Sequence, residues 1–246
     1  MTRAGWGLLM LVCALAGCAS QETLADRAGA ARVNTQLGIN YAQRGQYTIA
    51  LDKLRRAIKQ DESSASAHAA IAYVYQNTGE LHKAEHHYRR ALALAPEDPA
   101  LKNNFGVFLC SQNRFGEAEA AFLEAARDPR YATPAAAWTN AGLCMKSHDL
   151  EKAEQYLREA LKLQPDYREA LAQMAIVSFR QGEYLRTRAF LQRYDLGKSA
   201  SADLLYIAAR TEEALGDPKA ARDFERRLQT EFPESAEANY SPPNPQ

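Results

Sequence analysis

Residues 65–98 read ASAHAAIAYVYQNTGELHKAEHHYRRALALAPED, and their pattern decides the fold. Small and apolar residues recur at helical spacing on both sides of one glycine, Gly79. Ala72 and Tyr75 precede it, and Ala84, Tyr88, Ala91 and Pro96 follow. Small side chains at Ala72 and Ala84 let two helices approach closely. Gly79 can take the left-handed conformation that ends the first helix. Tyr88 fills the space between successive units, and Pro96 stops the second helix. The stretch predicts an antiparallel helix pair.

The pattern recurs. The alanine at Ala84 has equivalents at Ala50, Ala118, Ala153, Thr187 and Ala221, with steps of 34, 34, 35, 34 and 34 residues. Four residues after each stand Leu54, Tyr88, Phe122, Leu157, Leu191 and Glu225, and three further on Ala57, Ala91, Ala125, Ala160, Tyr194 and Leu228. Five residues before each stand Gly45, Gly79, Asn113, His148, Gly182 and Gly216, mostly residues that tolerate positive φ. Small and aromatic residues at these offsets resemble the tetratricopeptide repeat, an antiparallel helix pair of about 34 residues. The resemblance implies an all-α, right-handed superhelical solenoid of about six tetratricopeptide repeats, whose first helices line a concave groove.

Composition agrees with an all-helical chain and narrows function. The 246 residues carry 30 basic and 30 acidic side chains, so the formal charge is zero. A nucleic-acid-binding protein usually shows a basic excess, and none is expected as partner. After the N-terminus no apolar run is long enough to span a bilayer.

The N-terminus reads as an address. Residues 6–16 (WGLLMLVCALA) form an apolar run after a short basic start, too short to span a bilayer and suited to a signal-peptide core. It ends in Leu15-Ala16-Gly17-Cys18, which resembles a bacterial lipobox. That resemblance implies cleavage before Cys18 and lipidation of Cys18 (palmitate among its chains); the alternative is an ordinary secretory signal with a chance cysteine. Several acyl chains would make a stable membrane anchor where one would not. Ala19 and Ser20 follow, without the aspartate that retains enterobacterial lipoproteins at the inner membrane. The pattern resembles that of an outer-membrane lipoprotein facing the periplasm.

The expected organisation is therefore a signal peptide at 1–17, a lipidated tether at 18–30 (of which 21–30 read as polar tether or as the opening of the first helix), a repeat domain at 31–235 and a disordered tail at 236–246 with Pro242, Pro243 and Pro245. The repeats are placed at about 31–64, 65–98, 99–132, 134–167, 168–201 and 202–235. The linker at 126–138 (ARDPRYATPAAAW) breaks the rhythm and accounts for the step of 35. From Gly142 to Ala153 is 11 residues, against 12 from Gly38 to Ala50, which predicts a tightened turn near Ser147-His148. Glu225, where other repeats hold an apolar knob, suits a terminal repeat.

Candidate chemistry is sparse. Cys110 and Cys144 lie 34 residues apart near the ends of adjacent first helices. An oxidising periplasm permits a disulfide; two buried free thiols are the other reading. His82 and His86 share a helix face, but no further ligand stands at a recognisable spacing, so they and His87 read as a solvated face and no metal is expected. His68 and His148 carry no signal. Glu151-Glu154, Asp223-Glu225 and Asp61-Glu62 read as solvated carboxylates rather than acid/base couples. No nucleophile elbow, phosphate loop, dinucleotide fingerprint or zinc-protease motif is present, so no enzyme, cofactor or small-molecule substrate is expected.

The groove is the better candidate. Helical phase lines it with Thr35, Ile39, Ala69, Tyr73, Gln76, Asn103, Val107, Thr139, Leu143, Ala172, Ile176 and Phe179, about half of them at the surface. An apolar groove of this kind suits an amphipathic helix or an apolar peptide edge.

The stretch at 101–125 (LKNNFGVFLCSQNRFGEAEAAFLEA) and TNAGLC at 139–144, together with the lipobox, resemble the type IV pilus biogenesis and stability lipoproteins, the PilF/PilW family. The resemblance implies a pilotin: a protein that binds a secretin subunit in the periplasm, brings it to the outer membrane through the lipid anchor and promotes its multimerisation. Twitching motility would depend on it indirectly. The alternative is a scaffold lipoprotein of the envelope, serving outer-membrane protein assembly or docking peptidoglycan enzymes.

Overall fold

The computed structural model describes residues 24–197 and 200–239. The described residues form helices and turns, without strands. The chain divides after Pro96 into two compact units. The single array expected at 31–235 is thus two units. Stacking in a repeat protein is local, so a division can fall at a repeat boundary.

The first unit holds α1 (Leu24–Gln43), α2 (Tyr47–Gln60), α3 (Ala65–Asn77) and α4 (Leu81–Leu94). Of the two readings of residues 21–30, a polar tether or the opening of the first helix, the second holds from Leu24, where α1 begins. Ala31 is buried on that extended helix. Ser64 caps α3 by accepting from the Ala67 amide. Ala50, Leu54 and Ala57 are buried on α2, and Ala84, Tyr88 and Ala91 on α4, at the repeat offsets.

The second unit holds α5 (Pro99–Ser111), α6 (Phe115–Arg127), α7 (Pro134–Met145), α8 (Leu150–Leu163), α9 (Arg168–Arg180), α10 (Tyr184–Tyr194), α11 (Ala202–Ala214) and α12 (Pro218–Glu231). Proline opens α5, α7 and α12, where its missing N–H costs nothing. The link from α6 to α7 is held by Arg130, which pairs with Asp128 and reaches Glu97. Trp138 and Tyr131 pack on Ala125, Ala126 and Ala137 beside it.

The turn position behaves as its residues dictate. Gly79 has φ 81° and Asn113 φ 59°, and Gly45, Gly182 and Gly216 share that conformation. His148 does not. Its repeat does not tighten the turn. Instead α7 ends early, at 12 residues, and a four-residue link of Lys146, Ser147, His148 and Asp149 follows. The three-residue link used elsewhere needs a left-handed residue, a conformation that costs any residue with a β-carbon, and His148 does not adopt it. Asp149 replaces it by capping α8, its side chain accepting from the Lys152 amide.

Close packing explains the small residues of the first helices. A β-carbon on Gly106 would lie 2.7 Å from the Phe122 ring, and one on Gly142 would lie 2.7 Å from Leu157 Cγ. In repeats one, three and four the knobs Leu54, Phe122 and Leu157 are seated directly on Gly38, Gly106 and Gly142 of the first helix. In the last repeat Glu225 takes the knob position and pairs with Arg210. The tail does not start disordered. Residues up to Asn239 turn back on α12, with the Ala238 amide donating to Ser235 Oγ and the Asn239 side chain to the Ser235 carbonyl. Ser235 supplies local partners for that backbone, and proline begins only at 242. The rest of the tail, the signal peptide and Cys18 lie outside the described residues.

Candidate functional site

Five of the first helices, α1, α3, α5, α7 and α9, carry an apolar residue immediately after the small position, whereas α11 carries Arg210 there. In the first unit these are Ile39 on α1, half-buried, and Tyr73 on α3, 44% exposed. In the second unit they are Val107 on α5, 40% exposed, Leu143 on α7, 45% exposed, and Ile176 on α9, half-buried. Large apolar side chains repeated at one structural position and left in water mark a binding face.

The expected lining separates by depth. Thr35, Ala69, Asn103 and Thr139 are buried and belong to the packing between helices. The hydroxyls of Thr35 and Thr139 donate back to the carbonyls of Ala31 and Ala135 at 2.8 Å, and Asn103 accepts from Asn140 at 3.0 Å. Their polar groups are satisfied within the fold and are not offered to a partner. Gln76 is half-buried and accepts from the Tyr88 hydroxyl at 3.0 Å. Burial pushes the Tyr88 hydroxyl well above the usual tyrosine value, so it remains a donor. Ala172 and Phe179 are half-buried, with Phe179 edge-on to Tyr184.

Cys110 and Cys144 are joined as a disulfide, with their Cα atoms 5.8 Å apart. The bridge ties the ends of α5 and α7, one turn or less beyond Val107 and Leu143. It sets the spacing of those two side chains.

The histidines differ from expectation. His68 is buried, and its Nδ1 lies 2.9 Å from His87 Nδ1. His87 is half-buried, stacked among His68, Tyr75 and His86, so it is not part of a solvated face. The antiparallel pairing of α3 and α4 brings these residues together across 19 positions. Burial and the nearby His68, His86 and Arg55 push His87 down to about 4. His148 stacks on Phe115, with centroids 5.2 Å apart. Among the described residues no three histidine, cysteine or carboxylate side chains gather as a metal site.

The carboxylates serve as struts. Burial alone would raise the Glu154 carboxyl, but hydrogen bonds from Gln181, Arg186 and Arg158 outweigh it and hold it below the usual range. Glu212, buried on α11, receives two hydrogen bonds from Arg188 on α10. Asp223 pairs with Arg226, and Asp61 accepts from Ser63.

Models of the tetratricopeptide repeat match residues 38–79, 65–98 and 135–167. The type IV pilus assembly protein PilF of Pseudomonas aeruginosa is 30% identical over 237 residues, covering 94% of each chain. The chain belongs to the PilF/PilW family. Two solved structures of that family superpose on it. PilW, described as a widely conserved type IV pilus biogenesis factor, matches with a TM-score of 0.77 at 31% identity, over 85% of this chain and 96% of its own. Pseudomonas aeruginosa PilF matches with a TM-score of 0.78 at 31% identity, over 87% and 96%. The protein is thus a tetratricopeptide-repeat protein of type IV pilus biogenesis.

Within this PilF/PilW-family chain several surface features escaped sequence reasoning. Val33 and Leu37 on α1 are 60% and 40% exposed. The half-buried Lys146 and the exposed Arg180 stand at the ends of α7 and α9, one turn beyond Leu143 and Ile176. A cation one turn beyond the apolar residue in two successive repeats, three residues on at Lys146 and four at Arg180, was a signal present in the sequence. No described helix is long and apolar enough to cross a membrane.

Proposed function

We propose that the protein is a pilotin, anchored by a lipidated Cys18 to the periplasmic face of the outer membrane. It binds a secretin subunit of the type IV pilus through the exposed side chains of its first helices and promotes secretin multimerisation there. The observation that carries this reading is the exposure of Val107 and Leu143 at one repeat position of the second unit, on a scaffold of the PilF/PilW type. A face of this kind holds an apolar protein segment without any catalytic group. The lipid supplies the destination and the repeat face supplies the cargo.

The test is membrane fractionation of cells carrying Cys18→Ala, following both this protein and the secretin multimer. Loss of the protein from the outer membrane together with fewer or misplaced multimers is the expected result. Relocation of the protein with unchanged multimers would leave the anchor standing and remove the pilotin role.

A further inference from the structure

Most lysines and arginines of the second unit are paired with carboxylates. Arg114, Arg130, Lys152, Arg158, Arg186, Arg188 and Arg210 all make ion pairs. Lys146 and Arg180 are held differently. Lys146 Nζ donates to the neutral side-chain oxygen of Gln173 at 2.8 Å, and Arg180 Nη1 donates to the Lys146 backbone carbonyl at 2.7 Å. Two cations are thus drawn together by uncharged acceptors. Burial and the charge of Arg180 push the Lys146 ammonium below the usual lysine value, and Asp203 offsets this only in part.

The position of this pair gives it meaning. Lys146 follows Leu143 by three residues, and Arg180 follows Ile176 by four, so on each helix the charge sits one turn beyond the apolar residue, on the same side. Helices α7 and α9 are neighbours, as are α5 and α7. The places four residues beyond Ile39, Tyr73 and Val107 hold Gln43, Asn77 and Ser111, and those three beyond hold Ala42, Gln76 and Cys110, so no cation stands one turn beyond the apolar residue in repeats one to three. A shallow recess of about 410 Å³ opens there between Arg180 and the α7–α8 link. Its carboxylates are Asp149, committed to the α8 cap, and Glu151.

We propose that Val107, Leu143 and Ile176 together with Lys146 and Arg180 form a docking surface for an apolar protein segment that carries an acidic side chain, whose carboxylate seats on the Lys146–Arg180 pair. The proposal rests on the reading of the first-helix face as the partner-binding surface, and adds the chemistry of the partner. An incoming carboxylate relieves the repulsion between the two cations and forms charge-assisted hydrogen bonds with both. The apolar residues supply area, and the charge supplies register and encounter rate.

The test needs no assumption about the secretin. A random peptide library is selected on the full-length protein and on its Lys146→Glu/Arg180→Glu variant. A Lys146→Gln/Arg180→Gln variant is included because it removes charge without introducing any. Melting curves establish that all three are folded. The expected result is that peptides selected on the native protein combine apolar residues with Asp or Glu at a fixed spacing. Their affinity should fall about tenfold on the Gln variant, which corresponds to about 1.4 kcal/mol. The Glu variant should select basic peptides instead, and raising salt should weaken the native complex while leaving the residual binding to the Gln variant unchanged. Peptides without acidic bias, peptides that bind all three proteins equally, or no selected peptide from the native protein would each overturn the proposal. Pulldown of the secretin by the same proteins separates the two readings. Secretin bound equally by all three removes the charged rim and keeps the pilotin. Acidic peptides bound without secretin keep the rim and remove the pilotin.

Discussion

Gly106 and Phe122 are in contact so close that no side chain fits between them: a β-carbon on Gly106 would meet three ring atoms at 2.7, 2.8 and 3.1 Å. The second helix of the repeat rests its knob on the bare backbone of the first. Overpacking at such a site costs about 1–3 kcal/mol. Gly106→Ala should lower the unfolding free energy by that amount, read as a lower urea midpoint, and Phe122→Leu in the same chain should restore part of the loss. Equal stability of Gly106→Ala and the native protein would show that the ring can move aside.

The bridge between Cys110 and Cys144 closes a loop with a sequence separation of 34. A chain-entropy account of that closure gives about 3–4 kcal/mol. Melting the protein with and without reductant should show a lower transition in the reduced form. Cys110→Ala/Cys144→Ala should melt like the reduced protein and be indifferent to reductant.

His68 and His87 impose a pH dependence. One Nδ1 must donate and the other accept, so the pair is incompatible with full protonation of both rings. Burial, with Arg90 and His86 nearby, lowers His68 despite a hydrogen bond to the Glu62 backbone, and burial beside His68, His86 and Arg55 lowers His87 to about 4. Below pH 6.5 the unfolded chain therefore takes up protons that the folded chain refuses, and stability falls as pH drops toward 4. Above 6.5 both states are neutral and the full stability is present. With both rings partly in contact with water, the loss should be about 1 kcal/mol. His87→Gln should flatten the pH profile of the melting temperature between 6.5 and 4; an unchanged slope would place the titration elsewhere.

Arg188 and Glu212 join repeats five and six, and Glu212 is only 8% exposed. Removing the arginine strands a buried carboxylate. Arg188→Met should destabilise the protein by about 3 kcal/mol, whereas Arg188→Met/Glu212→Met should recover most of it. A double variant no more stable than the single one would assign the loss to packing of the arginine stem instead.

Much of the architecture was legible because it follows from single positions. The left-handed turns at Gly79, Asn113 and their equivalents were visible as residues that tolerate positive φ. The departure at His148 was visible too, but not its form. Counting residues detects a deletion, and only the cap offered by Asp149 decides whether the turn or the helix is shortened. The candidate face was half legible. Helical phase put Thr139 and Leu143 on the same side of α7, yet Thr139 is 5% exposed and Leu143 45%.

By itself the sequence determined the repeat, its phase, the small residues at which helices touch, and the 34-residue offset that allows Cys110 to meet Cys144. These depend on local conformation and on periodicity, which a linear pattern encodes directly. Only the tertiary structure decided which face residues stay in water, that His68 pairs with His87, and that Lys146 and Arg180 stand together without a carboxylate between them. Those outcomes depend on how close two helices pass and how much volume their side chains fill, and no single helix carries that information.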